Sequence, residues 1–161
     1  MPEEPFGVWK PARRPGAGGP ALIDTHVWLW YLDGLRNRLA RATVELMSRI
    51  ARQMGLVVSE MSIWEAANKA SKGRLTLAPT VDQWIARATS LPGYRFIMPD
   101  RATLLLSTRL PGLRSSDPTD PVDRMLLATA MREDLPLITA DAVMMAYARR
   151  CRQVSVCDAR P

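Results

Sequence analysis

An α/β fold, with a central parallel sheet of four to five strands and helices on both faces, is predicted by three features of the sequence. Short apolar runs of strand length recur at 21–24, 56–59, 94–98 and 137–140, and segments of helical periodicity separate them. No internal repeat of about 20 to 50 residues points instead to a solenoid or propeller. At 161 residues and 47% hydrophobic, the chain can bury one core rather than two.

The elements follow in order. Residues 1–19 carry prolines at 2, 5, 11 and 15 and glycines at 7, 16, 18 and 19, with Pro20 next. Such a stretch cannot offset its ordering entropy by burial, and it lacks the apolar centre of a secretory signal. It is expected to be a disordered leader, genuine or the product of a mis-assigned start codon, ahead of one domain over 20–161. Ala21 to Asp24 reads as a short buried strand, and His26 to Leu32 as a brief helix stopped by Asp33-Gly34. From Asn37 as N-cap, Leu39, Thr43, Leu46 and Ile50 recur at helical spacing to about Met54. Leu56 to Ser59 is a second strand. Ser62-Ile63-Trp64-Glu65 has the form of a capping box, which places a helix start there and a stop at Lys72-Gly73.

Pro79 to Gln83 opens a further helix with Val81, Trp84, Ile85 and Ala88 inward. Tyr94 to Met98 is a third strand, followed by a helix from Asp100 to Arg109 that Leu110-Pro111-Gly112 ends. Asp120-Pro121 starts a helix through Glu133, proline being preset for the first helical position. Leu137 to Ala140 is the fourth strand, Asp141 to Arg150 a helix, and Gln153 to Cys157 a last edge strand.

Composition then removes whole classes of chemistry. Cys151, Cys157 and the single histidine, His26, are too few for a zinc site of thiolates and imidazoles. The two cysteines lack any disulfide framework around them, as expected of idle thiols in a reducing cytoplasm. The apolar run Val27 to Leu32 is far shorter than the roughly 20 residues of a membrane helix. Lys+Arg outnumber Asp+Glu by 22 to 16, a net charge of +6 that suits an acidic partner.

What is left for chemistry is carboxylates. In open parallel sheets, sites form at the carboxyl ends of strands. Asp24 ends the first strand, Glu65 lies in the first turn after the second, Asp123 in the first turn after Asp120-Pro121, and Asp141 ends the fourth. Each is open to a plainer reading, because acids at helix N-termini cap backbone amides and complement the dipole. If the four converge instead, two charges about 4 Å apart repel by about 4 kcal/mol at an effective dielectric near 20. A hard divalent cation, Mg²⁺ or Mn²⁺, relieves that repulsion through oxygen ligands. It also polarises a phosphoryl oxygen and acidifies a bound water, which fits phosphodiester hydrolysis.

Four segments carry a resemblance: Leu22-Ile23-Asp24-Thr25-His26-Val27-Trp28; Ser59 to Lys69 with Gly73-Arg74-Leu75; Asp120-Pro121-Val122-Asp123-Arg124-Met125-Leu126-Leu127-Ala128; and Leu137-Ile138-Thr139-Ala140-Asp141. In this order, over about Pro20 to Cys157, they resemble the PIN-domain ribonucleases of the VapC toxin type. The resemblance implies a PIN-like fold, Mg²⁺-dependent cleavage of RNA, a cognate antitoxin that blocks the site, and a homodimer. It makes Asp24 and Asp123 the main metal ligands, with Glu65 and Asp141 completing the acidic pocket. Asp117, Asp120 and Asp123 compete for the third position. Asp123 is chosen because Asp120 as N-cap and Pro121 at N1 put it at N3, and Asp120 is the reserve. Thr139 can hold a water or a carboxylate by its hydroxyl, or serve the strand end alone. One departure stands out: relatives often place a histidine two residues ahead of the Asp-Pro dipeptide, where this chain has Pro118.

Arginines and aromatics complete the reading. Arg38, Arg41, Arg49 and Arg52 suit a solvated helix face, whereas Arg74, Arg114 and Arg124 lie nearer the strand ends and are better placed for phosphates. Trp28, Trp30 and Tyr31 crowd one short helix, either as core or as a groove for an antitoxin helix. Two rivals remain: a catalytically silent PIN-like module that binds RNA or protein, and a phosphatase of the haloacid dehalogenase sort. The latter needs an acid where the chain has His26.

Overall fold

The computed structural model describes residues 18–53 and 55–161. Strands β1 (Ala21–Ile23), β2 (Leu56–Ser59), β3 (Tyr94–Ile97), β4 (Leu137–Thr139) and β5 (Val156–Asp158) form one sheet in the order β3-β2-β1-β4-β5. Every pairing is parallel, as α/β connectivity requires. The helices are α1 (Thr25–Leu32), α2 (Arg41–Arg52), α3 (Glu60–Ser71), α4 (Val81–Ser90), α5 (Arg101–Thr108), α6 (Pro121–Arg132) and α7 (Ala142–Cys151). The chain builds outward from β1 to β3, then returns to the other side of β1 for β4 and β5. The strand order therefore reverses between β1 and β4, at the topological switch point where a crevice opens beyond the carboxyl ends.

Both faces of the sheet are buried, and alternate side chains feed two cores. Ala21, Ile23, Leu56, Val58 and Ile138 pack with Trp28, Met47, Ile50, Trp84 and Ala88 of α1, α2 and α4. Leu22, Val57 and Leu137 pack with Leu106, Leu126, Leu127, Met144 and Tyr147 of α5, α6 and α7. Trp28 is wholly buried, edge-on to Trp84 at 5.3 Å and to Phe96 at 6.1 Å between ring centroids. It anchors α1 against the sheet and so sets the position of the residues just before it.

The strands expected from sequence are present, and β1 is central. Two helix starts differ. Asn37 does not cap α2: Arg36–Arg38 form a 3-10 turn, and α2 begins at Arg41 behind Ala40, which offers no side-chain cap. Ser62-x-x-Glu65 is not a capping box either. The helix starts at Glu60 with Ser59 as cap, its hydroxyl accepting from the Met61 amide at 3.2 Å. Ser62 is thus one turn inside, fully buried, and accepts from the Thr25 hydroxyl at 2.9 Å. That bond ties α3 to α1 beside Asp24. Gly73, with φ of +66°, follows α3 in the left-handed conformation expected of a helix stop. The leader expected over 1–19 lies outside the described residues except for Gly18 and Gly19, and Met54 lies outside them as well.

Candidate active site

The acids at the carboxyl end of the sheet divide by whether the backbone uses them. Asp24 occupies the N-cap position of α1, yet its side chain makes no cap hydrogen bond. Its carboxylate is 2% exposed and accepts instead from the Thr139 hydroxyl at 2.7 Å, across from β4. That hydroxyl in turn accepts from the Asp141 amide at 2.9 Å. Thr139 therefore joins the first acid to the segment that carries the fourth. Asp141 does cap α7, its Oδ1 accepting from the Met144 amide at 2.7 Å, which leaves its second oxygen uncommitted by that bond.

The three acids of Asp117-Pro118-Thr119-Asp120-Pro121-Val122-Asp123 take three different tasks. Asp117 is buried, accepts from the Arg114 amide at 2.6 Å and pairs with Arg150 of α7. Asp120 is the N-cap of α6, accepting from the amides of Val122 at 2.8 Å and Asp123 at 3.3 Å. Asp123, at N3, is the member that meets the other acids. Its carboxyl is pushed up to about 8, by burial first and then by the charges of Asp24, Asp120, Asp141 and Glu65. Burial likewise raises Asp24, opposed by the Thr139 hydrogen bond and by His26, and reinforced by Glu65 and Asp141. Asp24, Glu65, Asp123 and Asp141, far apart in the chain, thus share one electrostatic neighbourhood.

Glu65 is 7% exposed and caps nothing; it pairs with Lys69 one turn on at 2.5 Å. Lys69 Nζ also stands 3.1 Å from His26 Nε2. Arg124 Nε donates to the Pro118 carbonyl at 2.6 Å, which braces the entry to α6. A cavity of about 200 Å³ opens beside the acids, lined by Asp24, His26, Trp30, Ala140 and Asp141. Sequence reasoning gave Lys69 and His26 no role at the site and read Trp30 only as core or as an antitoxin groove. Lys69 carried a signal in its four-residue spacing from Glu65, and His26 and Trp30 share one side of α1 by the same spacing.

The donor set suits a hard divalent cation. It consists of carboxylate oxygens whose proton affinity is raised by burial and mutual repulsion, the condition a cation relieves. Among the described residues no three acidic, imidazole or thiol groups converge into a preformed cage. Mg²⁺ does not demand one, since it is usually held by one or two carboxylates and keeps waters and substrate phosphates as its other ligands.

Comparison with known proteins agrees with this architecture. The PIN domain family model matches residues 21–150. Ribonuclease VapC22 of Mycobacterium tuberculosis is 30% identical over 135 residues, covering 84% of this chain and 96% of that protein. The crystal structure of VapBC2 from Rickettsia felis bound to a DNA fragment from their promoter shares the fold, with a TM-score of 0.62 at 12% identity over 86% of this chain and 98% of that one. On the extent of the family match and the identity with VapC22, the chain belongs to the PIN domain family.

Proposed function

We propose that the protein is a divalent-metal-dependent endoribonuclease, the toxin of a toxin–antitoxin pair, with Asp24, Glu65, Asp123 and Asp141 as its acidic site. The observation that carries the reading is Asp24: a buried carboxylate at the switch point, excused from capping, held by Thr139 and set among three other acids. A carboxylate serving only the fold would be spent on the α1 amides or matched by an arginine. Kinship with a protein named a ribonuclease supplies the substrate class.

Asp24 and Asp123 would hold Mg²⁺, with Mn²⁺ as a substitute. A cation bound there supplies a polarised phosphoryl oxygen and a water acidic enough to lose a proton near neutrality. The chain's own residues do the rest. Thr139 keeps Asp24 from rotating out of the crevice, and the α7 amide of Met144 does the same for Asp141. Lys69 holds the buried Glu65 in place and offsets its charge. In-line attack by water leaves 5′-phosphate and 3′-hydroxyl ends. Single-stranded or looped RNA suits the site, since unstacked strands can enter a narrow acidic pocket.

A cognate antitoxin that blocks the site, a homodimer and a cytoplasmic setting belong to this reading through the family. Among the described residues no helix is long and apolar enough to cross a membrane. The test is cleavage of a single-stranded RNA by purified protein: cutting with Mg²⁺ that EDTA abolishes supports the reading, and equal cutting in EDTA refutes it.

A further inference from the structure

Two aromatic side chains, His26 and Trp30, line the cavity together with Asp24 and Asp141, and each has a basic residue next to it. His26 is exposed and its ring lies 5.9 Å from that of Trp30, tilted by 45°. Trp30 is half-buried, so one side of the indole is fixed against the core while the rest faces the cavity. The Arg38 guanidinium lies 5.6 Å from the Trp30 ring centroid, and Lys69 stands 3.1 Å from His26 Nε2. The three aromatics of α1 have thus separated. Trp28 is core, and Tyr31 bonds the Ser48 hydroxyl at 2.9 Å, but Trp30 shares a cavity with the carboxylates. Neither core packing nor metal binding requires an indole and an imidazole there.

We propose that His26, Trp30 and Arg38 form a subsite that stacks one unpaired base of the RNA strand next to the acidic centre. The assignment rests on the ribonuclease reading for its choice of polymer. The exposed imidazole and the cavity side of the indole offer aromatic surface to a base of any sequence, and the adjoining Arg38 guanidinium meets a phosphate that flanks it. Stacking of one base on such a surface is expected to contribute about tenfold in affinity. A protein partner would find the same wall, yet the acids that share the cavity favour a ligand whose anionic groups arrive with a cation.

The experiment is equilibrium binding, without added metal, of a set of fluorescent single-stranded RNA hexamers to Asp24→Asn protein, in which the amide removes one charge of the acidic centre. Each hexamer lacks the base at a different position, and the intact hexamer is the reference. Loss of one particular base is expected to weaken binding about tenfold. Trp30→Leu, which keeps apolar contact with the core, should lower affinity for the intact strand and erase the difference between it and that abasic strand. His26→Ala, a change at an exposed position, should narrow the difference to about threefold. Equal binding of every abasic strand by the Trp30 protein, or undiminished discrimination by the Trp30→Leu and His26→Ala proteins, overturns the subsite. Because the readout is binding, the two ideas fail separately. Trp30-dependent discrimination in a protein that never cuts RNA keeps the subsite and removes the nuclease. Metal-dependent cutting with no discrimination at any base does the reverse.

Discussion

The acids on the α5–α6–α7 flank and those at the ends of β1 and β4 are the same chemical groups under opposite conditions. On the flank, Asp100 accepts from the Thr103 amide and hydroxyl, each at 2.7 Å, and meets Arg132 at 3.2 Å; Asp117 pairs with Arg150. These bonds favour the ionised form, so both carboxyls lie below their ordinary range. At the switch point, burial and neighbouring acids push Asp24 and Asp123 the other way. A buried or crowded carboxylate is ordinarily compensated by the fold, and an uncompensated group of them points to a ligand from outside.

The strongest way to break the contrast is to exchange an acid for its amide on each side. Asp24→Asn should reduce metal-dependent RNA cleavage by at least about a hundredfold in a timed digest, given that even outer partners of metal ligands commonly cost about 10- to 100-fold. Asp100→Asn should leave the cleavage rate within about twofold. Asp117→Asn should act on the fold instead, because the part-exposed Arg150 loses its anionic partner and the Arg114 amide its charged acceptor. A fall in Tm of about 3–5 °C is expected by calorimetry, with the metal dependence of cleavage intact.

A smaller effect sharpens the comparison through pH. Asp123 is raised in the folded protein from 3.8 to about 8, so between those values the native state retains a proton that the unfolded chain has released. In metal-free protein this group's contribution to stability is full below pH 3.8 and is lost as pH rises toward 8. Asp123→Asn should therefore stabilise the metal-free protein in urea at pH 8.5, on the order of 1–2 kcal/mol after allowance for partial solvation, and change little at pH 4. The flank behaves in the opposite sense: Asp100 and Asp117 favour folding above their unfolded pKa and lose that contribution as pH falls through their lowered values.

Much of this was legible from residue type and position. Apolar runs of strand length placed β1, β2 and β4, and acids directly after β1 and β4 fell at the switch point by connectivity alone. Asp120-Pro121 was legible because capping and a preset φ act within one turn, which in turn placed Asp123 at N3. The misreadings arose where a local pattern has two physical meanings. Ser62-x-x-Glu65 matches a capping box, but the same spacing inside a helix puts Ser62 toward Thr25 and Glu65 toward Lys69. Asn37 resembles a cap, yet the chain makes a 3-10 turn first, which carries Arg38 over Trp30. The pairing of Asp117 with Arg150, and the bond from Thr139 to Asp24, join residues that only the closed sheet brings together.

On the proposed reading Asp24 and Asp123 take up a divalent cation. Calorimetric titration of Mn²⁺ into EDTA-stripped, dialysed protein at pH 7 tests it without recourse to RNA. Saturable binding with proton release, lost in Asp24→Asn and retained in Asp117→Asn, is the predicted result. No binding, or the same binding in Asp24→Asn as in the unaltered protein, would contradict it.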